Sequence, residues 1–394
     1  MNDELFQKFL EEKDLAGSTE KGYKAMVALY TSLNQMSMTQ LIEEADSEEE
    51  QGIRWKKRTL RSRLMTFRKY LYEQKSQGTA RNYLRMVKTI YRYYEIELQD
   101  LPTYTSKQIN KTYIKSYEDL LTKDQLIAGY HESNNLMKCF ILLGSSSGLS
   151  KADIIKMTVS DFLEACKEYI TDKDSSVKNQ VSQVLGSDDP VPTFIGNRQK
   201  TGSKYITFAS PEYVEHMCQY LLGRDAEIRK KYADADEDDR FELSSQLMPE
   251  DKLFDISDEQ IMNIFRKINN KLSFGTVGTF VKFRSHQLRA FHASTLLNLK
   301  ENAFTESEVD ALQGRSKDQT HRAYFIESTS KLREKYIQGL DSLMLFKSIH
   351  TVSSEKYEQV KSENAEYKDK FEEQEAKIEQ IMKLQEELEA RMKS

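Results

Sequence analysis

Apolar residues recur every three or four positions over most of the chain, which is the pattern of amphipathic helices. Near the N-terminus, for example, Tyr23, Met26, Val27 and Tyr30 fall on one helical face. The pattern continues to about residue 98 and is then interrupted by a polar, proline-containing stretch. The sequence therefore predicts a helical domain over residues 1–100 and a linker over 101–117.

A second region, residues 118–349, is also predicted to be mostly helical. A capping-box pattern begins it at residues 122–125, and an apolar helix from Leu136 to Leu143 leads to a Gly- and Ser-rich stretch. Two short β-like runs, near residues 192–196 and 204–208, flank a polar turn, and helical periodicity returns from Pro211. The predicted fold class is mainly α with a small β-sheet (α+β).

The last segment, residues 350–394, has the heptad pattern of a coiled coil. Over residues 355–392, eight of the eleven a and d positions are apolar, and the flanking positions are rich in Glu and Lys. Asn364 stands at an a position, where such a residue sets the register. We therefore predict a coiled-coil tail; the alternative is one long solvated helix.

Composition narrows the class of protein. The chain has 394 residues, of which 38% are hydrophobic and 31% charged, so two or three domains with highly charged surfaces are expected. Its three cysteines are widely spaced, which excludes a disulfide framework and a CxxC metal site and indicates a reducing compartment. The N-terminus does not resemble a signal peptide, and no apolar run approaches the ~20 residues that span a membrane.

Charge is distributed very unevenly, and this points to nucleic acid. The net charge is -5, yet Arg54–Arg92 contains 13 Lys and Arg residues with a single acidic residue. Local charge governs binding to phosphates, so this block is predicted to bind DNA. The candidate DNA-binding residues are Arg54, Lys56, Lys57, Arg58, Arg61, Arg81, Arg85, Lys88 and Arg92.

Four segments that are distant in the sequence carry residues able to act on a phosphate ester. They are residues 147–155 (Ser-Gly-Leu-Ser-Lys-Ala-Asp-Ile-Ile), the Lys200-Thr-Gly turn, His286-Gln-Leu-Arg289, and residues 312–324, which end at Tyr324. A guanidinium can bind two phosphate oxygens, and an imidazole on the same helical face can transfer a proton near neutral pH. Lysine can reach a leaving oxygen, and an activated tyrosine can be a nucleophile. Each motif alone is common, so the inference depends on their order.

This order resembles the tyrosine recombinases, the phage integrase-like site-specific recombinases. In that family a Gly-Leu-Arg motif precedes a hairpin lysine, an HxxR motif, a Leu-Gly-His segment and the nucleophilic tyrosine. Here Tyr324 stands nine residues after Arg315, which occupies the place of the family's second histidine. The resemblance covers residues 118–330, and the N-terminal helices are similar to the family's helical core-binding domain.

The resemblance implies a reaction and a role for each residue. Tyr324 would attack a DNA phosphodiester and form a 3′-phosphotyrosine with a free 5′-hydroxyl. Arg289 would bind the scissile phosphate, His286 would assist proton transfer, and Lys200 would protonate the leaving oxygen. Because the phosphotyrosine conserves the bond energy, neither ATP nor a metal or other cofactor is expected.

Two positions depart from the family pattern. Ser150 and Lys151 stand where the family has its first arginine, and Lys151 is the predicted substitute, which keeps the charge but loses the bidentate fork. Arg315 can donate to a phosphate oxygen but cannot transfer protons at neutral pH. His321 could assist Arg315 or simply lie at the surface. For His292 a packing or capping role is expected; the alternative is that it supports the site from behind.

Together these features predict a site-specific recombinase that integrates or excises a mobile element or resolves chromosome dimers. Its expected partners are double-stranded DNA and further copies of the chain, as a tetramer on paired sites. It would be found in a prokaryotic cytoplasm with the nucleoid, or be encoded by a virus or mobile element. One alternative is a catalytically weakened or inactive DNA-binding accessory protein or regulator. Another is a structural coiled-coil adaptor that binds nucleic acid without a reaction.

Overall fold

The computed structural model describes residues 3–102, 116–236, 240, 241, 243–315 and 329–346. Internal contacts divide the chain into two units, Met1–Lys115 and Ser116–Ser394, and the division falls inside the predicted linker. The predicted coiled coil, residues 355–392, lies outside the described residues. Each unit is considered by itself below.

The first unit is built from helices. Its elements are α1 (Glu4–Lys13), α2 (Gly17–Asn34), α3 (Met38–Glu50), a 3₁₀ turn (Trp55–Lys57), α4 (Thr59–Gln74) and α5 (Gln77–Tyr93). The predicted apolar faces form its core, where Phe9, Tyr30, Phe67 and Tyr91 are almost completely buried. The Tyr30 and Tyr91 hydroxyls lie 3.2 Å apart, so the two buried phenols satisfy one another.

The second unit is also mainly helical. Its helices are α6 (Lys123–His131), α7 (Asn135–Ser147), α8 (Lys151–Ile155), α9 (Val159–Ala165), α10 (Val177–Leu185), α11 (Pro211–Asp234), α12 (Asp258–Lys271), α13 (Ser285–Leu297), α14 (Glu306–Gln313) and α15 (Thr329–Leu343). Two further 3₁₀ turns are Tyr117–Asp119 and Lys167–Tyr169. The predicted capping box is present, with Thr122 accepting from the Gln125 amide at the start of α6.

Helix α7 is the central buried element of the second unit, and it is longer than the sequence suggested. The apolar repeat predicted an end near Leu143, but the helix continues to Ser147. The Ser145, Ser146 and Ser147 hydroxyls each donate to the carbonyl four residues earlier, at 2.8, 2.6 and 2.6 Å. This bonding satisfies three buried hydroxyls inside the helix, which a polarity pattern cannot reveal.

Two antiparallel hairpins supply the β structure. Strands β1 (Thr193–Asn197) and β2 (Lys204–Phe208) pair in register from Thr193↔Phe208 to Asn197↔Lys204, which confirms the predicted hairpin. Strands β3 (Thr276–Val277) and β4 (Phe280–Val281) form a second hairpin inside a region predicted to be helical. At two residues each, these strands are too short for an alternating pattern to show.

Helix α15 and the residues after it pack on the core of their own unit. Leu332, Leu340 and Leu343 are buried there, and the Tyr336 hydroxyl donates to the Ser146 carbonyl at 2.8 Å. Beyond the helix, the backbone amides of Leu345 and Phe346 donate to the Glu212 carboxylate at 2.7 and 3.1 Å. The buried carboxylate thus fixes residues 345 and 346 against the start of α11.

The predicted fold class, mainly α with a small β-sheet, is confirmed. Within the described part of the chain, none of the helices has the length and apolar character needed to cross a bilayer.

Candidate functional site

The end of α7 lies directly against α13, and a glycine makes this contact. Gly148 caps α7 in the left-handed conformation, with φ +66°. A Cβ atom at this position would lie 2.5 Å from Nδ1 of His292 and 2.8 Å from Nε2 of Gln313. Both the dihedral angle and the space therefore require glycine here. The first and third predicted segments are thus brought together.

Arg289 is the central residue of the site, and it is buried, with 6% of its surface exposed. One Nη1 hydrogen is donated to the Gly148 carbonyl at 2.7 Å and one Nη2 hydrogen to the Gln313 carbonyl at 2.6 Å. A guanidinium has five N–H donors, so three remain after these two bonds. The two carbonyls fix the plane of the guanidinium and leave donors for an anion.

Two arginines and two aspartates act on the charge of Arg289. Burial, followed by the charges of Arg198 and Arg315, lowers the pKa of Arg289 to about 9, against the opposing influence of Asp153 and Asp310. The guanidinium still carries its charge at neutral pH. An oxyanion entering the site would meet the charged Arg289 guanidinium, with the charges of Arg198 and Arg315 acting on the same group.

Behind Arg289, His292 and Gln313 form a buried polar pair. The Gln313 side-chain amide donates to the Arg289 carbonyl at 2.9 Å and lies 3.0 Å from Nδ1 of His292. Burial, with the charges of Arg289 and Arg315, lowers the pKa of His292 to about 3, so the ring is neutral. His292 therefore packs behind the site as a hydrogen-bond partner and not as a proton donor.

The β1–β2 hairpin carries Lys200 in its turn. The turn is held by the buried Asp153 of α8, whose Oδ1 accepts the Gln199 amide at 3.0 Å and whose Oδ2 accepts the Ser150 hydroxyl at 2.6 Å. Lys200 is exposed at the tip of the turn. No ion pair or hydrogen bond joins its ammonium group to the residues that the structure describes.

The other predicted catalytic residues differ in their surroundings. His286 is exposed in the first turn of α13, three residues before the buried Arg289. Arg315 follows α14 and is half-exposed, with Nη1 lying 3.7 Å from the Asp310 carboxylate. Lys151 is directed to another helix, where its Nζ lies 2.5 Å from Oδ1 of Asp258 in α12.

The candidate nucleophile Tyr324 and the neighbouring His321 lie outside the described residues. The structure does describe Tyr336, the tyrosine twelve residues after Tyr324. It is completely buried, its hydroxyl is bonded to the Ser146 carbonyl, and burial raises its pKa well above the usual range. A phenol in this environment cannot reach a phosphate, so Tyr336 is a core residue.

Among the predicted DNA-binding residues of the first unit, four form a basic stripe on α5, and all nine but one have side chains at least partly accessible to solvent. Arg81, Arg85, Lys88 and Arg92 recur along one face of α5, and three of them are exposed. Burial lowers the pKa of the fourth, Lys88. Arg54, Lys56 and Lys57 are also exposed, and Arg61 is half-buried.

The exception is Arg58, whose guanidinium is used inside the unit. It is 9% exposed and donates to the Glu49 carboxylate at 3.0 Å and to the Ile53 carbonyl at 2.9 Å. Its charge therefore joins α3 to the segment before α4. It is not presented to solvent like the others.

Three residues of the site were not identified from the sequence. Asp153 positions the hairpin, Gln313 joins Arg289 to His292, and Arg198 lies close enough to Arg289 to lower its pKa. Asp153 and Gln313 lie within two of the four segments, so their position in the sequence could have identified them as site residues. Arg198 stands two residues before Lys200, and its proximity to Arg289 is visible only once the hairpin is docked.

No group of three or more His, Cys, Asp and Glu residues suited to a metal ion is found in the described ranges. The three cysteines are buried and unpaired.

No protein-family model matches the chain, and no curated protein matches it. Among solved structures, the chain is similar to site-specific recombinases and to a transposon integrase. XerA recombinase is 14% identical with a TM-score of 0.30, over 85% of this chain and 96% of that one. XerH recombinase bound to difH substrate is 15% identical with a TM-score of 0.38, over 70% of this chain and 66% of that one. The Tn1549 transposon integrase in complex with circular intermediate DNA is 11% identical with a TM-score of 0.40, over 85% of this chain and 98% of that one.

Proposed function

We propose that this protein is a site-specific DNA recombinase that cleaves and rejoins DNA through a 3′-phosphotyrosine at Tyr324. The observation that carries the proposal is the setting of Arg289, which two main-chain carbonyls hold among further cations. This setting suits a phosphodiester. The exposed Lys200 and His286 lie in the second and third of the four sequence segments described above. Order along the chain then provides a tyrosine nine residues after Arg315.

In the proposed reaction, the Tyr324 oxygen attacks the phosphorus and loses its proton, with assistance from His286. The bond from phosphorus to the 5′-oxygen breaks, and Lys200 gives a proton to that oxygen. Arg289 and Arg315 stabilise the negative charge that grows on the phosphate oxygens. The loss of one such donor typically raises the activation barrier by about 3 kcal/mol. Attack by another 5′-hydroxyl reverses these steps and rejoins the strand.

The basic stripe of the first unit completes the proposal as a DNA-binding surface. Phosphate contacts from its lysines and arginines would provide most of the affinity, without reading the base sequence. Recombination joins two duplexes, so we propose a tetramer of the chain on paired sites. Integration or excision of a mobile element, or resolution of chromosome dimers, would use this chemistry.

A second candidate is supported by the ion pair of Lys151. With its Nζ lying 2.5 Å from the Asp258 carboxylate, Lys151 has a partner other than a phosphate, and Ser150 carries no charge. On this observation the chain would be a DNA-binding accessory protein or regulator with weak or no cleavage activity. Formation of a covalent adduct separates the two candidates.

The test is a suicide-substrate assay with the full chain. Nicked duplexes taken from the DNA that flanks its own gene are incubated with the protein, and adducts are resolved on denaturing gels. We expect an adduct that forms in EDTA without ATP and that is lost in Tyr324→Phe. Tyr336→Phe, the matched control, should keep it. Salt-sensitive binding without an adduct on a duplex that the protein binds specifically would favour the accessory protein.

A further inference from the structure

We infer that Arg198, in the turn of the β1–β2 hairpin, binds the same phosphate group as Arg289 and is a further guanidinium of the catalytic site beside Arg315. The inference deepens the proposed function and depends on it for the identity of the phosphate as DNA. It assigns to Arg198 the task that the sequence had suggested for Lys151.

Position is the first argument. A Cβ atom added to Gly314 would lie 2.9 Å from Cγ and 3.0 Å from Cδ of Arg198, so the arginine stem crosses Gly314. Gly314 directly follows Gln313, whose carbonyl accepts a hydrogen bond from Arg289. Arg198 is also the first of the neighbouring charges that lower the pKa of Arg289. The two guanidinium groups therefore act on the same small region.

Availability is the second argument. The Nε atom of Arg198 is buried and has no hydrogen-bond partner among the described residues. The ion pair with Asp153 is long, at 3.8 Å between Nε and Oδ2, whereas a hydrogen-bonded pair has its atoms ~2.8 Å apart. The side chain is 17% exposed, so water does not replace the missing partners freely. An arginine left in this state costs free energy that a phosphate ligand would recover.

The other cations near the site are less suitable. Lys151 is paired with Asp258 at 2.5 Å, and an ammonium group has no planar fork for two phosphate oxygens. Arg315 is half-exposed and lies near Asp310. Asp153 anchors the turn through the Gln199 amide and so positions Arg198 from the backbone, without a close contact to its guanidinium.

The consequence for the reaction is that one short turn carries two functions. Arg198 would stabilise charge on the phosphate while Lys200, two residues later, protonates the leaving oxygen. Two guanidiniums, Arg198 and Arg289, could then each bind phosphate oxygens as charge develops in the transition state. A turn anchored by Asp153 delivers both groups together.

The test compares three variants of the full chain with two measurements: Arg198→Gln, Arg198→Lys, and Lys151→Gln at the competing position. The first is calorimetric binding of orthovanadate, a phosphate mimic, without DNA. We expect Arg198→Gln to weaken it by at least ~10-fold and Arg198→Lys to weaken it less, because the charge is kept but the fork is lost. Lys151→Gln should remain within about twofold, since its charge is already paired.

The second measurement is the single-turnover rate of adduct formation on a saturating nicked duplex. Arg198→Gln should slow it by ~100-fold, the usual effect of losing one transition-state donor, while duplex affinity changes little. Vanadate binding that is absent from the wild type, unchanged in Arg198→Gln, or equally weakened in Lys151→Gln would overturn the inference.

The two measurements also distinguish this inference from the proposed function. If vanadate binding depends on Arg198 but no adduct forms on a specifically bound duplex, the phosphate site stands and the cleavage chemistry fails. If an adduct forms at Tyr324 with the same rate and vanadate affinity in Arg198→Gln, the recombinase stands and the role of Arg198 fails.

Discussion

Asp153 connects several polar groups of the candidate site through one buried carboxylate. It accepts the Ser150 hydroxyl and the Gln199 amide, and Arg198 lies 3.8 Å away. A buried carboxylate is unfavourable unless it is hydrogen-bonded or paired, and here the two hydrogen bonds meet this condition. The same arrangement ties the start of α8 to the turn of the hairpin. Asp153 thus helps to fix the position of the turn that carries Arg198 and Lys200.

His292 provides a prediction about stability and pH. Its folded pKa of about 3 lies below the ordinary value of 6.5, because the ring is buried near Arg289 and Arg315. The unfolded chain therefore binds a proton that the folded chain excludes between these values. The contribution of His292 is complete above about pH 6.5 and declines as the pH falls, by about 2 kcal/mol at pH 5.

Urea unfolding of wild type and His292→Asn at pH 7 and pH 5 measures this effect. Asparagine keeps an acceptor near the Gln313 amide but does not titrate. The free energy of unfolding of His292→Asn should therefore fall by about 2 kcal/mol less than that of the wild type between pH 7 and pH 5. His131→Gln changes an exposed histidine and should behave like the wild type. Equal losses in wild type and His292→Asn would contradict the prediction.

At the scale of elements, α5 has two faces with different tasks. Ala80, Val87 and Ile90 are buried in the core of the first unit, while the arginines of the basic stripe point to solvent. Internal ion pairs hold other cations of the same region, such as Arg63 with Glu44 at 2.7 Å and Arg58 with Glu49 at 3.0 Å. The DNA-binding charge is therefore concentrated on fewer residues than the basic composition implies.

The stripe on α5 can be tested through salt dependence. In Arg81→Gln/Arg85→Gln, two phosphate contacts are removed, so the slope of log affinity against log salt should decrease by about 2. Fluorescence anisotropy with one labelled duplex at several salt concentrations gives this slope. Lys21→Gln, an exposed lysine on α2 outside the stripe, should leave it unchanged. An unchanged slope in the double variant would remove α5 from the interface.

The sequence predicted the main elements because helical periodicity and the β1–β2 alternation are strong local signals. It did not predict β3 and β4, which are too short for a period, or the serine-bonded end of α7. For the site, it identified Arg289 and Lys200 as candidates from order and spacing. It predicted Lys151 for the place of the first arginine and did not identify Arg198, because the position of Arg198 depends on how the hairpin packs near Asp153 and Gly314.

At the scale of the whole molecule, the path of the chain after α15 is the feature with the clearest consequence. Residues 329–346 pack on the unit from which they come, and Glu212 accepts the Leu345 and Phe346 amides. The Phe346 ring lies 4.7 Å from the Tyr130 ring, which adds an apolar contact. The segment that precedes the predicted coiled coil therefore has a fixed point of attachment in its own chain.

The attachment can be tested with Glu212→Gln. A glutamine oxygen can accept one of the two amides, while its NH₂ group opposes the other, so local opening should become easier by about 1–3 kcal/mol. Hydrogen exchange at Leu345 and Phe346 should accelerate by ~10-fold or more. Glu227→Gln, an exposed position on the same helix, serves as the control. Unchanged exchange in Glu212→Gln would show that other contacts hold the segment.

The two hydrogen bonds that hold Arg289 have a consequence for genetic experiments. Its two acceptors are main-chain carbonyls, at residues 148 and 313, so no substitution of an accepting side chain can delete them. Only a change that displaces the backbone can do so, and Gly148 and Gly314 are the positions where an added methyl group would collide with its neighbours. A random-mutagenesis screen for inactive clones should therefore return these glycines beside Arg289 itself.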